Sequence, residues 1–130
     1  MDGPSQRSQT AARRVLVVDD DPDILEALSE ILEVEGYDVQ RARNGREALQ
    51  RLEQGLPDLV LLDLMMPVMD GWEFARSLAP GARPPIIVLS ADRNVSAKAK
   101  EIGALGWLAK PFELSELLDA VRSVVPVETP

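Results

Sequence analysis

Three short runs in this sequence are apolar at every position: Val15, Leu16, Val17 and Val18; Leu59, Val60, Leu61 and Leu62; and Ile86, Ile87, Val88 and Leu89. A strand with one wet face alternates apolar and polar residues. A run without alternation therefore predicts a strand covered on both faces. Each run stops at a polar side chain: Asp19, Asp63 and Ser90. A more polar strand is predicted over residues 37–42, near a sheet edge. A short fifth strand is predicted over residues 103–108, around Leu105 and Trp107, ending at Lys110 and Pro111.

Helical spacing fills the intervals. Asp21 is placed to cap a helix with Pro22 at its first position. Leu25, Leu28 and Leu32 form one apolar row, flanked by Ile24, Ala27, Ile31 and Val34, with Glu26, Glu30 and Glu33 on the wet side and Gly36 as terminator. Asn44 and Glu47 have the spacing of a capping box for a helix built on Ala48, Leu49 and Leu52. Asp70 can cap a third helix carrying Trp72, Phe74, Ala75 and Leu78. Residues 92–102 are weakly helical, with Val95, Ala99 and Ile102 on one side. The last helix, over residues 113–125, has Leu114, Leu117, Leu118, Val121 and Val125 as its expected buried row. Strands joined by helical crossovers are parallel, and the crossovers are right-handed. The fold class is therefore α/β, an open parallel sheet with helices on both faces.

A chain of 130 residues supports one domain with one sizeable core. Residues 1–12 are polar and read as a disordered leader, residues 13–125 as the domain and residues 126–130 as a tail. The leader lacks the apolar run of a signal peptide, and no segment approaches the roughly 18 apolar residues of a membrane span. The expected location is the cytoplasm. A net charge of −8 argues against direct binding of nucleic acid or anionic lipid. There is no cysteine and no histidine. The commonest general base and metal ligand is thus missing, and chemistry must run on carboxylates, hydroxyls and lysine.

In open α/β sheets the active crevice lies beyond the carboxyl ends of the strands. Those ends bring together Asp19 and Asp20, then Asp63, Ser90 and Lys110. Taken singly, each has a plain explanation. Asp19, Asp20 and Asp21 suit helix capping, a serine at a strand end is common, and a Lys-Pro pair is a weak signal. Together they describe a site. Three crowded carboxylates need a cation, and an oxygen-only donor set suits Mg²⁺, with Mn²⁺ as a substitute. Such an ion keeps positions open for phosphate. Ser90 can donate to a phosphoryl oxygen, Lys110 can supply a point charge, and Asp63 is the natural nucleophile for an aspartyl-phosphate.

The residues Val17-Val18-Asp19-Asp20-Asp21-Pro22, Asp63-Leu64-Met65-Met66-Pro67-Val68-Met69-Asp70-Gly71, Ser90-Ala91 and Lys110-Pro111-Phe112 resemble the receiver domain of bacterial two-component response regulators. The resemblance covers nearly the whole chain. It implies a flavodoxin-like, doubly wound sheet of five strands in the order 2-1-3-4-5. It implies that Asp63 accepts a phosphoryl group from a phosphohistidine on a histidine kinase or phosphotransfer protein, the domain catalysing its own phosphorylation and dephosphorylation without being a conventional enzyme. Asp20 and Asp63 would bind Mg²⁺ directly, with the Met65 backbone carbonyl as a further ligand and Asp19 acting through water. Lys110 would pair with the phosphoryl group, and Ser90 would close onto it. The Lys110–Pro111 bond would be cis. Met65 and Asp92 would flank the phosphoryl group. Trp107 stands where the family usually has a tyrosine-like switch aromatic, and its bulk and indole N–H are expected to restrict that movement while it still reports on Ser90.

Two other readings compete. Asp19-x-Asp21 after an apolar strand also resembles the opening of haloacid-dehalogenase-like phosphatases, with Asp19 as nucleophile. Asp23 stands where a Thr or Val is expected there, no acidic pair follows the lysine, and Asp63 is left unexplained. The chain could instead be a receiver-like binding module that takes no phosphate. For output, the resemblance points to a docking face formed by the weak helix from Asp92, strand five and the last helix. A downstream protein would bind there, or a second copy, in which case Ala97, Lys98, Lys100 and Glu101 would be exposed contacts.

Overall fold

The computed structural model describes residues 13–65, 71–78 and 83–126. The elements are β1 (Arg14–Val18), α1 (Pro22–Val34), β2 (Asp38–Ala42), α2 (Gly45–Gln54), β3 (Leu59–Asp63), α3 (Gly71–Ser77), β4 (Ile86–Ser90), α4 (Val95–Glu101), β5 (Gly106–Ala109) and α5 (Leu114–Val124). The strands form one parallel sheet in the order β2-β1-β3-β4-β5. Fold class and strand order are those expected. The predicted leader and most of the tail, and the expected cap Asp70, lie outside the described residues, as does the Trp72 side chain.

The all-apolar runs explain the layering. Successive side chains of a strand point to opposite faces. In β3, Val60 and Leu62 enter one core with Ala48 of α2, Phe74 and Ala75 of α3, and Val95 and Ala99 of α4. Leu59 and Leu61 enter the other, with Leu25, Leu28 and Leu32 of α1 and Leu117 and Val121 of α5. The sheet is thus sandwiched, three helices on one face and two on the other.

Local chemistry sets the helix ends. The Asp21 carboxylate accepts from the Asp23 and Ile24 amides at 2.9 and 3.4 Å, with Pro22 beginning α1. At the other end Gly36 has φ 105°, a conformation that costs a glycine nothing. There the Tyr37 amide donates to the Leu32 carbonyl and the Gly36 amide to that of Glu33, the paired bonds of a Schellman motif. The same pair of bonds ends α4 at Gly103, φ 75°, where Ala104 donates to Ala99 and Gly103 to Lys100. That motif uses the residues just after α4. It delays β5 to Gly106, three residues later than the sequence suggested.

Expectations at three helices need correction. At α2, Asn44 accepts from the Glu47 amide at 2.9 Å as expected, but the Glu47 carboxylate reaches the Arg43 amide at 2.8 Å instead of the Asn44 amide. Val34 and Leu114, expected in or beside the buried rows, are 84% and 46% exposed, and Ala27 is exposed too. The Leu25, Leu28 and Leu32 row faces the sheet, which leaves the flank containing Ala27 and Val34 turned outward. Leu114 opens α5, one turn before Leu117 reaches the core.

One buried hydrogen bond joins distant parts of the α1/α5 face: the Tyr37 hydroxyl donates to the Val125 carbonyl at 2.7 Å. Burial raises the Tyr37 pKa above its ordinary value, so the hydroxyl stays a donor. Tyr37→Phe keeps the ring and removes the donor. It is expected to lower stability by about 1–2 kcal/mol in urea unfolding, because the carbonyl is left without this partner.

Candidate functional site

Parallel register brings the strand ends level. Val18 is paired with Leu62, so Asp19 and Asp63 follow side by side; Asp63 is paired with Leu89, and Ser90 with Ala109. Lys110 follows Ala109 immediately, and its amide donates to the Ser90 carbonyl at 2.8 Å. The Lys110–Pro111 peptide is cis, as the resemblance implied.

The expected residues converge. Carboxylate oxygens of Asp19, Asp20 and Asp63 all lie within 4.8 Å of one another. Asp19 is fully buried and Asp63 nearly so, whereas Asp20 is exposed. Lys110 Nζ stands 2.9 Å from Asp19 Oδ2 and 3.7 Å from Asp63 Oδ2. The second oxygen of each buried aspartate takes a backbone amide: Asp21 N–H donates to Asp19 Oδ1 at 2.9 Å, and Met65 N–H to Asp63 Oδ1 at 3.1 Å. Asp19 is therefore a holder of Lys110 and of the turn after β1, a role the sequence did not reveal.

Charge balance follows from burial. The Asp63 carboxyl is pushed up to about 6, mainly because burial disfavours the anion; Asp19 and Asp20 add repulsion, while the Met65 amide and Lys110 oppose the rise. Burial also opposes the charge on Lys110, but its hydrogen bond to Asp19 and the fields of Asp19, Asp63 and Asp20 outweigh this and hold its pKa above the usual lysine range. One lysine cannot neutralise three carboxylates. The donor set is all oxygen and fits a hard divalent cation such as Mg²⁺.

The remaining predicted residues are placed less simply. Ser90 is fully buried, and its Oγ accepts from the Asp92 amide at 3.1 Å. The Asp92 carboxylate lies outside the acidic group. It pairs with Lys98 and accepts from the Asn94 amide at 2.7 Å. Lys98, expected as an exposed contact, is half-buried by that pairing. The Met65 side chain is 64% exposed. Trp107 lies opposite Val88, two positions before the Ser90–Ala109 pair, and is 44% exposed. Beside the site an apolar cavity of about 380 Å³ is lined by Ile24, Ala27, Leu28, Ala91, Lys110, Pro111 and Phe112. Sequence reading missed this cavity; its signals were the apolar flank of α1 and the phenylalanine after Lys110-Pro111.

Comparison with known proteins identifies this arrangement. The family model for the response regulator receiver domain matches residues 15–122. The chain belongs to that family. Among curated proteins this receiver is similar to response regulator MprA of Mycolicibacterium vanbaalenii, 44% identical over 120 residues, covering 90% of this chain and 52% of that protein. It is also similar to transcriptional regulatory protein PdtaR of Mycobacterium tuberculosis, 39% identical over 129 residues, covering 96% of this chain and 63% of the relative. The chain thus spans between half and two thirds of the length of these relatives. Solved structures similar to the receiver include chemotaxis protein CheY4 of Vibrio cholerae, with a TM-score of 0.79 and 35% identity over 88% of this chain and 100% of that one. Another is response regulator TrrA of Thermotoga maritima in complex with Mg²⁺-BeF, with a TM-score of 0.78 and 37% identity over 87% and 99% of the two chains. Among the described residues, no helix of the receiver is long and apolar enough to cross a membrane.

Proposed function

We propose that this receiver takes a phosphoryl group on Asp63 from a phosphohistidine of a histidine kinase or phosphotransfer protein and thereby changes its binding to a downstream partner. The observation that supports this best is the setting of Asp63: a nearly buried carboxylate with one oxygen held by the Met65 amide and the other 3.7 Å from Lys110. An Asp63 oxygen attacks phosphorus, the P–O bond forms as the P–N bond of the donor breaks, and the imidazole leaves with the electron pair. Lys110 neutralises charge on the transferred group, and Ser90 closes to donate a hydrogen bond to it. Asp19, Asp20, Asp63 and the Met65 carbonyl would hold Mg²⁺, which supplies further charge neutralisation at the phosphoryl oxygens. Met65 and Asp92 would border the phosphoryl group, and Trp107 would register closure through the sheet. The same groups serve hydrolysis: water attacks phosphorus, the bond from phosphorus to the Asp63 oxygen breaks, the carboxylate leaves and inorganic phosphate is released.

The donor comes in trans, since the chain has no histidine. The apolar cavity beside Lys110 offers the donor protein a contact surface next to the site. On the output side, Leu105 and Trp107, 65% and 44% exposed, add apolar surface to the α4–β5–α5 face, where a downstream protein or a second copy would dock. The expected location remains the cytoplasm. Asp19 is a poorer nucleophile than Asp63 for a haloacid-dehalogenase-like reaction, because Lys110 hydrogen-bonds its Oδ2 directly at 2.9 Å, whereas Asp63 Oδ2 stands 3.7 Å from the same Nζ.

Incubation with acetyl phosphate and Mg²⁺, read by intact mass, tests the proposal. One phosphoryl group is expected with Mg²⁺ and none in EDTA. A folded protein that takes no label under either condition would be a binding module instead.

A further inference from the structure

The oxygen of the hydroxyl that has to reach a phosphoryl group on Asp63 is already held as an acceptor in this structure. Ser90 Oγ accepts from the Asp92 amide at 3.1 Å. Asp92 is itself fastened in three ways to α4 and its lead-in: its carboxylate to Lys98 Nζ, the same carboxylate to the Asn94 amide at 2.7 Å, and its carbonyl to the Val95 amide at 3.2 Å. Lys98 sits on α4, whose Val95 and Ala99 are buried in the core together with the following Ile102. The helix therefore offers a fixed anchor. α4 has no side-chain cap from Asn94, so Asp92 is also what satisfies the amide there. The pair holds the Asp92 carboxyl below its ordinary range, chiefly through the hydrogen bond from Lys98, so the anion persists at neutral pH.

We infer that Lys98 is a positioning residue: through Asp92 it latches the segment carrying Ser90 in its present arrangement, and closure onto a phosphorylated Asp63 requires that latch to release. The inference rests on the proposed role of Asp63. It adds a second task to the position of Asp92 beside the phosphoryl group, since its carboxylate is turned to α4 and its backbone amide meets Ser90 Oγ. Removing the latch lowers the cost of closure, so it favours any ligand that is bound only in the closed form.

Beryllofluoride with Mg²⁺, a phosphoryl mimic, is the probe, titrated calorimetrically into the full chain. Lys98→Met and Asp92→Asn are each expected to tighten binding by about 2–5-fold, the range for a partly exposed ion pair. The double variant is expected to gain no more than either alone, and Lys98→Arg to return to the wild-type value. Urea stability of the unliganded single variants is expected to fall slightly or stay level, opposite in sign to the affinity. A merely structural role would lower stability and affinity together, which would overturn the inference. Opposite effects of the two single variants would also overturn it, because that is the signature of simple charge repulsion between Asp92 and the anion. Failure of the wild type to bind beryllofluoride while remaining folded would remove the Asp63 reading itself, and the latch with it.

Discussion

Asp63→Asn is expected to abolish labelling by acetyl phosphate and, in the same protein, to make the metal-free fold more stable at pH 7. The first effect follows from chemistry. An amide retains an oxygen able to accept from the Met65 amide, but it is no nucleophile toward phosphorus. If label persisted, the acceptor would be another residue. The second effect follows from burial. The Asp63 carboxyl titrates at about 6 in the fold, against 3.8 for its ordinary value. Between those values the folded protein keeps a proton that the unfolded chain has released, so stability falls as pH rises through the window. Above it the metal-free fold bears the full cost of the anion. The shift converts at 1.36 kcal/mol per unit; with the solvent access of a site at the rim, the expected gain from the substitution is about 1–2 kcal/mol. Urea unfolding in EDTA from pH 4.5 to 8 checks it. The wild type should lose stability across the window and the variant should lie flatter. Mg²⁺ should stabilise the wild type more than the variant.

Lys110→Met should act in the opposite direction on stability. Lys110 is the cation 2.9 Å from Asp19 and 3.7 Å from Asp63, and its side chain is only 19% exposed. Methionine matches the stem and removes the charge, leaving a fully buried carboxylate without its ion pair. Breaking such a pair costs about 3 kcal/mol. The loss should be largest at neutral pH, where Asp63 is ionised, and should shrink toward pH 5. Mg²⁺ should recover part of it by replacing the missing positive charge. Labelling should slow by about 100-fold, the scale for losing one preorganised charge at a transition state. Mg²⁺ binding without phosphoryl donor should persist. A variant labelled at the wild-type rate would show that Lys110 serves the fold alone.

What the sequence disclosed and what it withheld divide along a physical line. β1, β3 and β4 were plain because a strand buried on both faces has no choice but to be apolar throughout. Their ends were equally plain, because parallel register aligns whatever residue comes after the run, and that placed Asp19, Asp63, Ser90 and Lys110 together. The Asp21-Pro22 start and the Gly36 stop are backbone chemistry written in two or three neighbouring residues. Periodicity, by contrast, says which residues share a helix face but not how much of that face the sheet covers. Val34 and Leu114 were misplaced for that reason. Partners chosen by reach across space left no local trace. Lys110 reaches Asp19, 91 positions earlier. Lys98 pairs with Asp92 over six positions, a spacing with no fixed meaning once a loop intervenes.

The outer side of β2 has a consequence for the protein in a crowded solution. Consecutive carbonyls of a strand point in opposite directions, and that of Ala42 accepts from the Asp19 amide on the β1 side. The carbonyl of Arg41 therefore faces away from the sheet, and Arg51 Nε donates to it at 3.0 Å. A guanidinium from α2 thus occupies a position at which an incoming strand would bond. Any copy extending the sheet from that side must displace this contact and approach the positive charges of Arg41, Arg43 and Arg51. Edge pairing of that kind is how folded sheets grow into fibres. Growth from the β2 side is obstructed by a side chain whose own helix is packed in place, which leaves β5 as the edge without this obstruction.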